Sequence, residues 1–335
     1  MKCVRLYSAN NATIVEVSEP QIISEEQVKI RVRYCGIGTD DYAMYSSKIN
    51  ARYANSGLLT EFSGEIIDLG SAAKNAGFAK GDKVSAARFA PCGKCPMCRS
   101  GKPNLCVELS AMGCMSEIIV TDCHKLAKLS DDLPLEYGVF FEPASRCLYA
   151  IDKMNFATGD TVCILGENST SLIMLQLLKR RMPSLVVVCG SLKEKRSLSL
   201  NFGADKIVDS SWTNLAETTL ELTDGFGFDH IVDCQGDPKL AESAINLLAR
   251  GGEFTIIPNY PFGTKIRIDL AEMHWKEIRI QSIYEPTNVK YTYNASFLKD
   301  LELKSLVGTI LPVSEVNKAF ELFATKRMKK IIIEL

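Results

Sequence analysis

Four cysteines crowd one short segment: Cys92, Cys95, Cys98 and Cys106 stand in PCGKCPMCRSGKPNLC at C-x2-C-x2-C-x7-C spacing. Thiolates are soft ligands, and four within one loop match a closed, tetrahedral, structural zinc site with no position open to substrate. A bacterial iron–sulfur run ends C-x3-C-P, so the long last gap argues against a cluster of that kind. Four free thiols would leave a loop full of Gly, Pro and Lys with nothing to organise it. The expectation is therefore a structural Zn2+ lobe over about residues 90–110. The other eight cysteines are scattered, several in apolar strands where a thiol behaves as a small hydrophobe.

A second stretch with chemical character is Gly166-Glu167-Asn168-Ser169-Thr170-Ser171, between an apolar run at 161–165 and a helix-compatible segment at 171–182 that Pro183 brings to a stop. A dinucleotide-binding turn reads G-x-G-x-x-G, and here only the first glycine is kept. Asn168 tolerates a left-handed backbone, and Ser171 is small enough for a close helix-to-strand contact. Gly166, Asn168, Ser169 and Ser171 are thus candidates to hold a pyrophosphate at a helix N-terminus. The alternative is a Rossmann-like domain that no longer binds a nucleotide tightly. NAD binders carry an acid at the end of the second strand. Here Gly190 occupies that position, followed by Ser191, and Lys193, Lys195 and Arg196 could meet a 2′-phosphate. That favours NADP(H) over NAD(H), the bland reading being a solvated helix face.

The elements that must position these groups alternate regularly. Strands at 161–165, 185–189, 206–208, 229–233 and 253–257 are separated by helices at 171–182, 193–202, 215–222 and 238–249, the pattern of a doubly wound parallel sheet. The first third is strand-rich. At 27–34 the residues Val28, Ile30, Val32 and Tyr34 alternate with Lys29, Arg31 and Arg33, a strand with one wet face, and a polar turn follows at 35–42. With 335 residues there is room for about two domains. A formal net charge of −1 gives no field to recruit nucleic acid or an anionic membrane. No apolar run reaches spanning length, and the chain opens on a strand-like pattern, so a cytoplasmic protein is expected.

The four-cysteine lobe, Gly81-Asp82-Lys83-Val84, Glu142-Pro143, Gly159-Asp160, Gly203-Ala204-Asp205, Gly251-Gly252 and the closing Ala319-Phe320 segment before strand 331–333 occur in this order over essentially the whole chain. In this the sequence resembles the zinc-type medium-chain alcohol dehydrogenase family, most of all its polyol and threonine dehydrogenase branch. The resemblance implies an α/β architecture: a GroES-like, strand-rich catalytic domain at 1–148 and 283–335, with a Rossmann nucleotide-binding domain at 149–282 between them. It also implies a small-molecule substrate and assembly as a homodimer or homotetramer.

The family's reaction uses a second zinc as Lewis acid, held by a Cys two residues before a Ser/Thr-Asp pair, the His of Gly-His-Glu and the Glu of Glu-Pro. Aligned without gaps, Gly38 stands at the Cys position and Asp40-Asp41 at the pair. With one residue deleted, Thr39-Asp40 matches the pair and Cys35 lies four residues before it. The Gly-His-Glu motif reads Leu59-Thr60-Glu61. The chain's three histidines, His124, His230 and His274, fall in neither ligand-bearing turn. Structural zinc kept and catalytic zinc abandoned is the leading expectation. Thr39, Asp40, Tyr42, Glu61 and Glu142 are then the candidates for proton transfer and oxyanion stabilisation. Two alternatives stay open: a metal on Glu61, Glu142 and an aspartate or Cys35, or a non-redox descendant that is a lyase, isomerase or binding protein.

Overall fold

The computed structural model describes residues 1–46, 59–111, 113–190, 196–209, 212–284, 295–325 and 329–335. The chain divides into two compact units, Met1–Ser145 with Glu285–Leu335, and Arg146–Tyr284.

In the first unit a seven-stranded sheet is built around the strand Gln27–Gly36. Val28, Ile30 and Val32 of that strand are buried while Arg31 and Arg33 are exposed, as the alternation requires, but Lys29, expected on the wet face, is buried and pairs with Glu19 at 2.6 Å. Its neighbours are antiparallel: Glu61–Leu69 on one side, with Gly36 opposite Glu61, and Lys330–Glu334 on the other, with Ile332 opposite Gly36. The strand therefore ends beside the start of Glu61–Leu69 on one side and the middle of the C-terminal strand Lys330–Glu334 on the other. The segment expected as a polar turn at 35–42 is instead the end of this strand followed by a helix, Thr39–Ser46. Asp40 and Asp41 lie in its first turn, where acidic side chains complement the helix dipole.

The second unit is a six-stranded parallel sheet in the order Lys206–Asp209, Leu185–Gly190, Thr161–Leu165, Phe228–Asp233, Leu248–Ile256, Arg279–Ser282. Numbered along the chain this is 3-2-1-4-5-6, the doubly wound Rossmann order, whose switch point lies between Thr161–Leu165 and Phe228–Asp233. The apolar runs of the sequence are its inner strands: Val162, Cys163, Ile164, Val186, Val187 and Val188 are all buried. Several boundaries differ from expectation: the helix expected at 171–182 runs Ser169–Lys179, and the one expected at 215–222 begins at Trp212. The helix expected at 238–249 stops at Ile245, and the strand expected from 253 begins at Leu248, because Gly251 and Gly252 sit within a strand rather than between elements. No described helix is long and apolar enough to cross a membrane.

Backbone proximity in the first sheet rests on Gly64, which pairs with Val32. A Cβ there would lie 2.4 Å from the Arg31 carbonyl oxygen and 2.8 Å from Ile30 Cγ2. Gly64→Ala must therefore push two strands apart, and thermal unfolding should show a loss of about 1–3 kcal/mol.

Candidate functional site

The end of strand Gln27–Gly36 gathers the residues that stand where the resemblance places metal ligands. Glu61, across from Gly36, is buried, and its Oε2 lies 2.6 Å from Nζ of Lys330, itself buried at the start of the strand on the other side. The Lys330 ammonium also donates to the Ile37 carbonyl at 3.5 Å. Gly36 has no side chain because this carboxylate lies against it: a Cβ would come within 2.6 Å of Glu61 Oε2. Two residues on, a Cβ at Gly38 would lie 3.1 Å from Glu61 Oε1 and 3.1 Å from Asp41 Oδ2. A cysteine side chain at Gly38 thus has no room unless both carboxylates move.

Asp41 is held by backbone donors. Its Oδ2 accepts from Gly38 N at 2.9 Å and its Oδ1 from Leu59 N at 3.0 Å, tying the turn to the start of the next strand. Burial pushes its carboxyl from the ordinary 3.8 up to about 7; Arg88 opposes the shift and Glu61 adds to it. The neighbouring Asp40 forms an ion pair with Arg88, whose guanidinium lies over the Phe89 ring. Cys35 is fully buried and its Sγ donates to the Cys114 carbonyl at 3.5 Å. Burial first, then Asp41 and Glu61, raise its thiol far above the ordinary range, so it is held neutral.

The other candidates are distributed. Thr39 is exposed at the first position of its helix. Tyr42 packs its ring against Phe323, centroids 5.6 Å apart, and Tyr45 stacks on Phe320 with its hydroxyl donating to the Asn10 carbonyl. Glu142 is buried in the first turn of the helix Phe141–Lys153. Thr60, at the histidine position, is buried.

Among the described residues, the groups of three or more His, Cys, Asp or Glu side chains close enough to share an ion reduce to Cys92, Cys95, Cys98 and Cys106, whose ligand atoms all lie within 4.8 Å of one another. A tetrahedron of sulfurs at the usual zinc–sulfur bond length has edges of roughly 3.8 Å. Cys95 Sγ lies 3.5 Å from Cys98 Sγ and 3.8 Å from Cys106 Sγ, so the donor set fits zinc in shape and in softness. Backbone N–H groups of Cys98 and Val107 lower the Cys95 thiol, while burial and the neighbouring Cys95 and Cys106 thiols raise that of Cys98. Glu61, Glu142, the aspartates and Cys35 form no such cluster.

In the second unit Gly166 has φ +114, where a side chain would be strained, and a Cβ would approach Gln235 Oε1 to 3.0 Å. Asn168 is not left-handed, as its place in the motif suggested. Its φ is −89 and ψ 177, and it caps the helix Ser169–Lys179 by accepting from Ser171 N at 3.0 Å while its Nδ2 donates to the Cys234 carbonyl at 2.7 Å. Ser169 and Ser171 are buried in the first helical turn. Asp233, ending the strand beside the switch point, accepts from Gln235 N, Gly236 N and the Tyr260 hydroxyl at 2.8, 3.0 and 2.6 Å. The turn, with its helix N-terminus, fits a bound pyrophosphate. Gly190 closes its strand, while Ser191, Lys193 and Lys195 lie outside the described residues.

Sequence reasoning missed Lys330 and Arg88 as partners of the acidic residues. Only the basic character of residues 326–330 marked the first, and nothing local marked the second. The Asp41 shift gives a sign. The stability supplied by its neutral form is complete below 3.8 and is lost as pH rises through about 7. Urea unfolding should show wild-type stability falling across that window by up to a few kcal/mol more than in Asp41→Asn, whose amide does not titrate.

Comparison with known proteins agrees with this architecture. The family model for the alcohol dehydrogenase GroES-like domain matches residues 24–131, and that for zinc-binding dehydrogenase matches residues 170–301. The chain is 27% identical to a sorbitol dehydrogenase of Halalkalibacterium halodurans over 319 residues, covering 92% of each. It is 25% identical to the D-arabitol-phosphate dehydrogenase of Enterococcus avium over 335 residues, 96% of this chain and 93% of that one. The crystal structure of a provisionally assigned zinc-binding dehydrogenase from Sinorhizobium meliloti 1021, bound to NADP, superposes with a TM-score of 0.90 at 23% identity, covering 100% of this chain and 99% of that one. Two domain matches in the order of the two units, with relatives aligned from end to end, establish that the chain belongs to the zinc-type medium-chain alcohol dehydrogenase/reductase family, in its polyol and threonine dehydrogenase-like branch.

Proposed function

We propose that the protein is an NAD(P)(H)-dependent oxidoreductase that moves a hydride between a nicotinamide and a small polyol- or sugar-like alcohol, its carbonyl, or a conjugated substrate, and that it works without a catalytic zinc. The observation that carries the second half is at Gly38. The space a ligand cysteine would need is bounded by Asp41 and Glu61, and Glu61 is already neutralised by Lys330. With threonine at the histidine position and Cys35 turned to the Cys114 carbonyl, the donor set does not fit a catalytic zinc. The same geometry weighs against a metal on Glu61, Glu142 and an aspartate or Cys35.

The substrate class rests on the end-to-end relatives, named for sorbitol and for D-arabitol phosphate. The structural zinc is assigned to Cys92, Cys95, Cys98 and Cys106, where it holds the lobe in place of a hydrophobic core. A nicotinamide nucleotide, when bound, would accept the hydride from the alcohol or return it to the carbonyl; Gly166, Asn168, Ser169 and Ser171 would form its pyrophosphate turn. Substrate polarisation then falls to hydrogen-bond donors and acids of the chain. Asp40 and Glu61 hold Arg88 and Lys330 in place, and the Tyr42 ring helps pack the helix. The Thr39 hydroxyl, exposed at the helix start, is assigned as donor to the substrate oxygen, and Glu142 as the carboxylate that takes or returns the proton.

The test is polyol and polyol-phosphate oxidation followed by reduced-nicotinamide absorbance, with and without prior treatment by a zinc chelator under conditions that leave the protein folded. The rate should change by no more than about twofold, since no Lewis acid is lost. Activity abolished by the chelator and restored by added zinc would contradict the reading. Thr39→Val and Glu142→Gln should each lower kcat by roughly a hundredfold or more with the fold intact by circular dichroism.

A further inference from the structure

The end of the strand Leu185–Gly190 carries no acid of its own, yet a carboxylate is there. A Cβ on Gly190 would lie 2.0 Å from Glu167 Cδ, 2.1 Å from Glu167 Cγ and 2.4 Å from Glu167 Oε2. The Glu167 side chain, 3% exposed, fills the volume from which an aspartate at position 190 would start. It reaches there from the glycine turn after the neighbouring strand, Thr161–Leu165, which runs parallel to Leu185–Gly190 with Leu165 opposite Cys189. Both strand ends therefore open on the same rim of the sheet, the rim where a Rossmann fold receives the adenosine half of its dinucleotide.

A second acid adjoins the first. Asp209 ends the strand Lys206–Asp209 and is in register with Gly190. The negative charge is felt locally: the Cys189 thiol, raised to about 12, is pushed there first by burial, then by Glu167 and by Asp209. A ribose carries hydroxyl donors that a carboxylate accepts, whereas a 2′-phosphate brings close to two negative charges that these acids repel.

We infer that Glu167 replaces the missing strand-end acid as acceptor for the adenosine ribose 2′-hydroxyl, and that the protein consequently selects NAD(H) over NADP(H). This rests on the nicotinamide-dependent reading above and reverses the cofactor preference that Lys193, Lys195 and Arg196 suggest in the sequence. It also gives Gly190 its reason: any side chain there evicts Glu167.

Titration of the intact protein with NADH and with NADPH, followed by nicotinamide fluorescence, tests the assignment without any substrate. Wild type should bind NADH at least roughly tenfold tighter than NADPH, as loss or gain of one charged hydrogen bond dictates. Glu167→Gln, close to isosteric, should weaken NADH binding and narrow the ratio by about tenfold. The double variant Glu167→Ala with Gly190→Asp, which returns the acid to its usual strand and frees the space for it, should restore the preference. Tighter NADPH binding by the wild type, or an unchanged ratio in Glu167→Gln, overturns the assignment alone. Binding of neither nucleotide removes the oxidoreductase reading and the assignment together.

Discussion

A buried carboxylate needs a positive partner, and at the head of the first sheet that partner is Lys330. The Glu61–Lys330 contact joins two strands far apart in sequence across the end of Gln27–Gly36. Much of the local sequence answers to it. Gly36 and Gly38 lack side chains where the carboxylate lies, and Asp41, drawn beside Glu61, is tied down by two backbone amides. In a family whose chemistry turns on a metal cation at this turn, the chain has placed an ammonium beside the carboxylate and left neither thiolate nor imidazole for an ion. The loss of the cysteine ligand and the closing of its space are one structural fact, since a cysteine returned at Gly38 would collide with the carboxylates now there.

The nucleotide unit uses the same device. A glycine appears where a functional side chain is expected, and a carboxylate from another element lies over it: Glu61 over Gly36, Glu167 over Gly190. In both units a glycine marks the place and an acid from a neighbouring element supplies the charge, Glu61 from the start of a strand and Glu167 from a turn. The four-cysteine lobe shows no such exchange. Its four thiols keep a tetrahedral spacing and a set of N–H donors that stabilise thiolate.

How much of this the sequence reveals depends on whether the interaction is local. The parallel sheet is written in short apolar runs, and the cysteine lobe in a spacing confined to fifteen residues, 92–106. Both are readable without knowing what lies across the fold. Asn168 shows the limit of motif reading, because its place in the glycine pattern suggested a left-handed backbone while its side chain in fact caps a helix from extended geometry. The turn at 35–42 read as polar loop because Thr39, Asp40 and Asp41 are cap-like residues, and the helix they begin has little apolar periodicity. Lys330 and the pairing of Glu167 with Gly190 were beyond reach, since each contact joins residues that only sheet formation brings together.

On the proposed reading the family's reaction site is rebuilt around carboxylates and an ammonium, and zinc is held by the cysteine lobe, the one such cluster among the described residues. Elemental analysis of the purified protein after dialysis counts the tightly bound metal directly. The account predicts about one zinc per chain, and none in a folded variant with Cys95 and Cys98 replaced by serine. Two tightly held zincs per chain, with one surviving those replacements, would contradict it.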